Sequence, residues 1–238
     1  KSVEEGRKIM VAQLEEVGFI RSRKKIVHDV GVHERCSKPI EIISVPQWFV
    51  KILEKKPELL VAADQINWYP SYMKKRYLRW VEGLSWDWCI SRGRFYGIPI
   101  PVFYCRDCQE VVLPKTEELP IDPRFNKAER ACSHCGSKNI RPETAVFDTW
   151  FTSALTPEIN NNHRQNGRLA GKMYPMSLRP HGHDIIRSWT TYSILMGLLR
   201  HNGVPPWNDL MISGHIIAKE GEKISKKTGG GKYDPLEL

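Results

Sequence analysis

Four cysteines stand at metal-binding spacing. Cys105 and Cys108 form one Cys-x-x-Cys pair, and Cys132 and Cys135 form a second. Each pair makes a tight turn that aims two thiolates inward, and two such turns complete a tetrahedral four-sulfur site. Gly136 suits the turn after Cys135. Four sulfur ligands leave no open coordination position, so the site reads as structural zinc. His134, inside the second pair, reads as a bystander. His28, His33 and Cys36 offer only three further donors and read as surface histidines and a buried thiol.

A second chemistry belongs to phosphates. Lys223-Ile224-Ser225-Lys226-Lys227 precedes Thr228 and the run Gly229-Gly230-Gly231. Lysines act as point charges on polyphosphate, and glycines let a loop close. The same charge pattern also describes a plain solvated loop. Gly182-His183-Asp184 lies where a strand-like edge gives way to a helical pattern. A glycine there lets a ligand approach the backbone, and a carboxylate at such an edge can hold a ribose hydroxyl. Asp184 can equally be a helix cap. Trp86, Asp87 and Trp88 with Arg92 and Arg94 suit either a stacking pocket or the edge of an aromatic core.

Elements must position these groups. Val3, Arg7, Met10, Val11, Leu14 and Val17 recur at helical spacing, with Gly18 as a stop. Residues 26–43 carry short strand-like pieces broken by Gly31 and Pro39, and residues 71–83 read as an amphipathic helix ended by Gly83. Residues 102–146 form a compact insert around the cysteines, and residues 156–172 read as a polar loop. A strand begins at Leu178, a helix spans residues 184–199, and Leu210-Met211-Ile212-Ser213 is a second strand. Strand, helix, strand implies a parallel sheet, of which two strands are legible.

Bulk properties bound the reading. The 238 residues are 41% hydrophobic and 26% charged, enough to bury a core, and no apolar run is long enough for a membrane helix. The first eight residues are too charged for a secretory signal. The chain starts at Lys1 rather than Met, as expected of a piece of a longer protein. The net charge of +9 favours a polyanionic partner.

In this order, the motifs resemble those of class I aminoacyl-tRNA synthetases. Lys223–Lys227 is similar to the KMSKS signature, Asp87-Trp88-Cys89-Ile90-Ser91-Arg92 to a run of the Ile/Val/Leu subgroup, and Gly97-Ile98-Pro99-Ile100-Pro101 to its G-x-P-I-P. Gly182-His183-Asp184-Ile185 matches G-x-D-I. Phe147-Asp148-Thr149-Trp150 with Ser153, and residues 178–189, resemble the valyl branch of archaeal type. The sequence departs from the pattern at Ile224, Lys227, Gly93 and Phe95-Tyr96.

The resemblance implies an α/β fold: the second half of a class I Rossmann-type parallel-sheet domain with a small zinc-ribbon-like insertion. It implies four segments: 1–45 as the tail of an editing insertion, 46–101 as a return segment of the catalytic domain, 102–146 as the zinc insertion, and 147–238 as the second Rossmann half. No run matches the HIGH motif, so the fragment is expected to be inactive alone. Lys223 and Lys226 would be catalytic. Gly182, Asp184, His215, Ile216 and Ser225 would bind ATP, Trp48 and Ile90 would wall the amino-acid pocket, and Cys105, Cys108, Cys132 and Cys135 would hold zinc. The implied partners are valine, ATP with Mg2+ and tRNA(Val), for a cytoplasmic monomer that binds no membrane. An isoleucyl enzyme, or a non-catalytic zinc-containing paralogue that binds nucleotide or tRNA, are the rival expectations.

Overall fold

The computed structural model describes residues 2–33, 36–126, 130–161 and 172–215. The chain forms two compact units, Lys1–Pro46 and Gln47–Leu238. No helix among the described residues is long and apolar enough to cross a membrane.

The first unit is built on helix α1, Val3–Glu16. Ser2 and Glu5 form a reciprocal capping box at its start, which satisfies two otherwise orphaned N–H groups. At its end Gly18 takes φ +72°, and the N–H groups of Gly18 and Phe19 close on the carbonyls of Glu15 and Leu14. This double closure is a Schellman motif, which the glycine permits. The strand-like pieces expected over 26–43 reduce to one bridge between Val32 and Pro39. Gly31 and Pro39 interrupt the alternation that a ladder needs.

The second unit begins with strand β1, Phe49–Val50, and helix α2, Lys56–Ala62, which has Pro57 in its first turn. Strand β2, Asn67–Tyr69, leads into helix α3, Met73–Glu82, which ends at Gly83. Strands β3, Trp88–Cys89, and β4, Ser91–Arg92, follow. The insertion carries β5, Phe103–Cys105, β6, Val111–Val112, and β7, Ile140–Pro142, with β5 in the centre. Strand β8, Val146–Phe147, pairs with β4 and feeds helix α4, Thr149–Ala154. Helix α5, Thr156–Asn160, occupies the start of the stretch read as a loop, with Pro157 where a first helical turn tolerates it.

Strand β9, Met176–Gly182, runs without a break into a 3-10 turn at His183–Ile185, a π turn at Ile186–Thr190 and helix α6, Thr191–Arg200. Strand β10, Trp207–Ser213, completes the order β2-β10-β9, all parallel. The sheet has three strands here rather than two. β2 escaped the sequence pattern because it is three residues long and abuts Pro70. The register sets Leu210 beside both Trp68 and Arg179, and Ser213 beside Gly182.

The core lies on this sheet. Trp207, Tyr77, Leu59, Ile186, Ile194, Leu195 and Leu210 are fully buried, drawn from α2, α3, the π turn, α6 and β10. Each large aliphatic side chain so buried contributes about 1.5–3 kcal/mol. Two buried polar tips are satisfied locally, Tyr77 Oη donating to Leu59 O and Trp68 Nε1 to Ala63 O, while the Trp207 indole N–H finds no partner among the described residues.

Candidate functional site

Parallel pairing brings the ends of β9 and β10 to one edge, the edge at which open parallel sheets bind ligands. β9 finishes at Gly182 and β10 at Ser213, paired in register. Just beyond them, the His183 and His215 rings lie 4.3 Å apart, and His215 Nε2 lies 3.9 Å from Asp184 Oδ2. A Cβ on Gly182 would come within 2.8 Å of Asp184 Oδ1, so this glycine keeps the turn tight. The N-cap position of the turn is Gly182, and Asp184 stands within the turn at its second residue. Gly182, Asp184 and His215 are thus brought together. Ile216, Lys223, Ser225 and Lys226 lie outside the described residues.

Asp184 also lines a cavity of about 580 Å3, whose other walls include Trp88, Trp150, Tyr192, Arg92 and Asp148. Trp88 stacks on Tyr192 with ring centroids 3.6 Å apart and planes 4° from parallel. The back of the cavity is fixed by Asp148, which is only 4% exposed. Its carboxylate accepts from Trp88 Nε1 at 3.1 Å, pairs with Arg92 at 3.0 Å and caps α4 through the Trp150 N–H. Burial pushes the Tyr192 phenol up, with the Asp148 charge acting the same way, so its hydroxyl stays protonated at neutral pH. The arrangement offers flat aromatic faces and a fixed charge pair beside a carboxylate at the strand ends.

Trp48 and Ile90 are brought together, but on a separate apolar cavity of about 320 Å3 with Ile100, Val102, Leu119 and Phe147. Asp184 does not line it. The two residues reach the larger cavity from behind, through the backbone. Ile90 N–H donates to Trp48 O at 2.9 Å, and Asp148 N–H donates to Ile90 O at 2.7 Å. The Trp48 indole N–H donates to Tyr104 Oη at 2.8 Å, and Tyr104 Oη donates to Glu143 Oε2 at 2.6 Å. Burial first, and the Glu143 contact second, push the Tyr104 phenol up to about 12.

The four cysteines converge. One ligand atom from each of Cys105, Cys108, Cys132 and Cys135 lies within 4.8 Å of all the others. Sγ atoms are 3.5 Å apart for Cys105 and Cys135, and 3.6 Å apart for Cys108 and Cys132. A tetrahedral zinc with ~2.3 Å Zn–S bonds needs sulfur atoms about 3.8 Å apart. The donor set therefore fits such an ion. The two turns share one closure. Gln109 N–H reaches Cys105 O and Gly136 N–H reaches Cys132 O, with Gln109 at φ +62° and Gly136 at φ +75°. Hydrogen bonds from the Cys108 backbone hold the Cys105 thiol down to about 7. Cys108 and Cys135, despite backbone hydrogen bonds that lower them, end above the ordinary value through burial and the crowded neighbouring thiols, so metal binding would have to release their protons. His134 is exposed and outside the cluster.

The same closure recurs in the first unit. Ser37 N–H donates to His33 O at 2.8 Å, Ser37 takes φ +54°, and Cys36 Sγ lies 3.4 Å from His33 Nδ1. Cys36 is exposed, not the buried thiol expected.

A family model described as "tRNA synthetases class I (I, L, M and V)" matches residues 8–238. The chain belongs to this family. Among curated relatives, the valine--tRNA ligase of Picrophilus torridus is 46% identical over 228 residues, 96% of this chain and 29% of that protein. That of Methanocaldococcus jannaschii is 42% identical over 95% of this chain and 25% of its own length. The chain thus spans less than a third of the curated relatives it matches. A solved Mycobacterium tuberculosis methionyl-tRNA synthetase in complex with methionyl-adenylate covers 92% of this chain, at TM-score 0.56 and 17% identity. A second structure of that enzyme, bound by methionyl-adenylate, gives TM-score 0.52 at 16% identity. At such identity these likenesses show the class I synthetase fold.

In this class I synthetase chain, sequence reasoning met Asp148 and Trp150 only as part of a family motif and Tyr192 as an apolar helix position, and gave none of them a place at the cavity. Asp148 carried a legible signal, because an Asp before a short apolar helical run is a cap candidate. Tyr192 carried none, since it reads as one more apolar position of α6.

Proposed function

We propose that this chain is part of a valine--tRNA ligase, which activates valine with ATP and transfers it to tRNA(Val). The observation that carries the reading is the strand-end edge, where Gly182, Asp184 and His215 adjoin an aromatic cavity. The 46% identity to a valine--tRNA ligase supports the choice of amino acid.

Asp184 accepts hydrogen bonds from the ribose hydroxyls of ATP, with Gly182 giving the sugar close access to the backbone. His215 and Ile216 flank the adenine. The cavity walled by Trp88, Trp150 and Tyr192 takes the amino acid, with Trp48 and Ile90 bracing that wall from behind. The carboxylate of valine attacks the α-phosphorus. A phosphorus–oxygen bond forms, the bond to the bridging oxygen breaks, and pyrophosphate leaves with the electron pair. Lys223 and Lys226, with Ser225 between them, offset the charge that gathers on the phosphates. Mg2+ bound with ATP would supply charge neutralisation of the triphosphate. A terminal ribose hydroxyl of tRNA then attacks the valyl carbonyl and releases AMP.

Cys105, Cys108, Cys132 and Cys135 hold zinc, closing the insertion as a structural ion does. On this reading 1–45 is the tail of an editing insertion, 46–101 and 147–238 belong to the catalytic domain, and 102–146 is the zinc module. The protein works as a cytoplasmic monomer.

The test is amino-acid-dependent pyrophosphate exchange by the full-length polypeptide, with Lys226→Ala as control. Exchange with valine, lost in the variant, is expected. Exchange with isoleucine alone would overturn the valine assignment. Elemental analysis without zinc, and a stability indifferent to chelator, would reject the metal site.

A further inference from the structure

The backbone carbonyls of His181 and Gly182 are held by more bonds than their position at the end of a strand requires. His181 Nδ1 lies 2.7 Å from Gly182 O. A carbonyl can only accept, so Nδ1 carries the proton and donates. In the neutral ring Nε2 is then an acceptor, and Thr190 Oγ1 lies 2.6 Å from it. Thr190 is fully buried. From the neighbouring strand, Ser213 Oγ donates to His181 O at 3.4 Å. The Trp189 ring meets the imidazole edge-on at 5.3 Å. Burial is the largest influence on His181 and lowers its pKa, which favours the neutral ring this pattern needs.

Thr190 closes the π turn Ile186–Thr190. A π turn closes on the fifth residue rather than the fourth and is less stable than an α turn, so it persists where other contacts hold it. The neighbouring Thr191 hydroxyl donates to Ile186 O at 2.8 Å, while the Thr190 hydroxyl reaches back to β9. One imidazole thus couples the end of β9, the Gly182 carbonyl and the π turn. The 3-10 turn that carries Asp184 lies between these anchor points.

We propose that His181 is a positioning residue for the nucleotide edge: by clamping the Gly182 carbonyl to Thr190 it holds Gly182 and Asp184 in register for a ribose. The proposal rests on the reading of Gly182 and Asp184 as ribose-side residues. His181 itself touches no substrate.

Three variants of the full-length polypeptide separate this role from plain packing. His181→Asn keeps a donor near the Nδ1 position and loses the reach to Thr190. Thr190→Val is close in shape and removes the hydroxyl. His181→Phe removes both bonds and keeps a ring. The KM values for ATP and for valine are read in pyrophosphate exchange, with the thermal midpoint alongside. The KM for ATP is expected to rise about threefold in each of the first two variants and about tenfold in His181→Phe, while the KM for valine stays within about twofold. An unchanged KM for ATP in all three overturns the proposal. So does a parallel rise for both substrates that follows a lowered midpoint. Should His181→Phe fail to fold, Thr190→Val and His181→Asn decide the matter by the same two outcomes. A wild-type protein that exchanges pyrophosphate with no amino acid overturns the functional reading itself, and the proposal with it. Wild-type exchange with unaltered variants overturns the proposal alone.

Discussion

Asp148 concentrates more structure than any other side chain at the site. It is buried, yet it serves Trp88, Arg92 and the first turn of α4 at once. Replacing it with alanine removes a cap worth about 1 kcal/mol and leaves the guanidinium and indole without their acceptor, for a total near 3 kcal/mol. Asp148→Asn keeps the Oδ1 acceptor for the cap but sets an amide donor where Oδ2 accepts from Trp88 and pairs with Arg92, and should cost about 2 kcal/mol. Urea midpoints of the two variants check this order, and equal costs would show that the acceptor oxygen retained by asparagine contributes nothing. A second contrast lies in the cysteine turns, where Gln109 and Gly136 occupy matching left-handed positions. Nothing lies within 4 Å of a Cβ on Gly136, so Gly136→Ala meets backbone strain and no clash, about 1 kcal/mol. Gln109 already carries that strain. Gln109→Gly should relieve it at some cost in unfolded-chain entropy, for a net gain of about 0.5 kcal/mol. Thermal midpoints moving in opposite directions for the two substitutions are the expected result.

The insertion around the cysteines is held by short strands and charged contacts rather than by a large core. Hydrogen bonds from Ser137 and Asn139 hold the Asp107 carboxyl below its ordinary value. The Lys115 backbone N–H and Arg130 do the same for Glu118, and Arg124 for Asp122. At Glu143 burial pushes upward, but hydrogen bonds from Tyr104, Ala145 and Thr144 outweigh it and the carboxyl ends low. Each depressed carboxylate contributes stability that is present above its unfolded pKa and is lost as pH falls through the lower folded value. The four act in one direction, so acid should open this element ahead of the sheet. Hydrogen exchange of amides in β5 and β7, compared with β10 between pH 5 and pH 3, checks it. Loss of protection that begins in β10 would sink the idea. The element scale is also where the sequence was least legible. The cysteine pairs announced their own geometry, and Gly18 announced the end of α1, while its Ser2–Glu5 capping box came only with the structure. β1, β3, β4 and β8 are two residues long, too short for alternation to register, and tertiary pairing alone makes them strands. The π turn was invisible, because apolar positions recur through residues 185–196 as they would in an unbroken helix.

At the scale of the whole molecule, charge is unevenly shared. Residues 1–46 hold nine lysines and arginines against seven acidic residues, so most of the net +9 belongs to residues 47–238. The fold does not require that excess, since its core is apolar and its ion pairs are mainly at the surface. Excess positive charge acts at longer range, on a polyanion, and the proposed tRNA is one. Two proposed steps then differ in their dependence on salt. Pyrophosphate exchange uses small substrates held in a cavity, where buried groups are screened little. Association with tRNA releases counterions, so affinity falls as a power of salt concentration set by the number of phosphates met. Six such contacts correspond to about a thousandfold loss between 50 and 200 mM salt. In the full-length protein, raising salt over that range should lift the KM for tRNA steeply and leave the KM values for ATP and valine within about threefold. Steady-state aminoacylation and exchange assays at matched salt measure both. A flat KM for tRNA would mean that the basic balance of this chain serves something other than its proposed nucleic-acid partner.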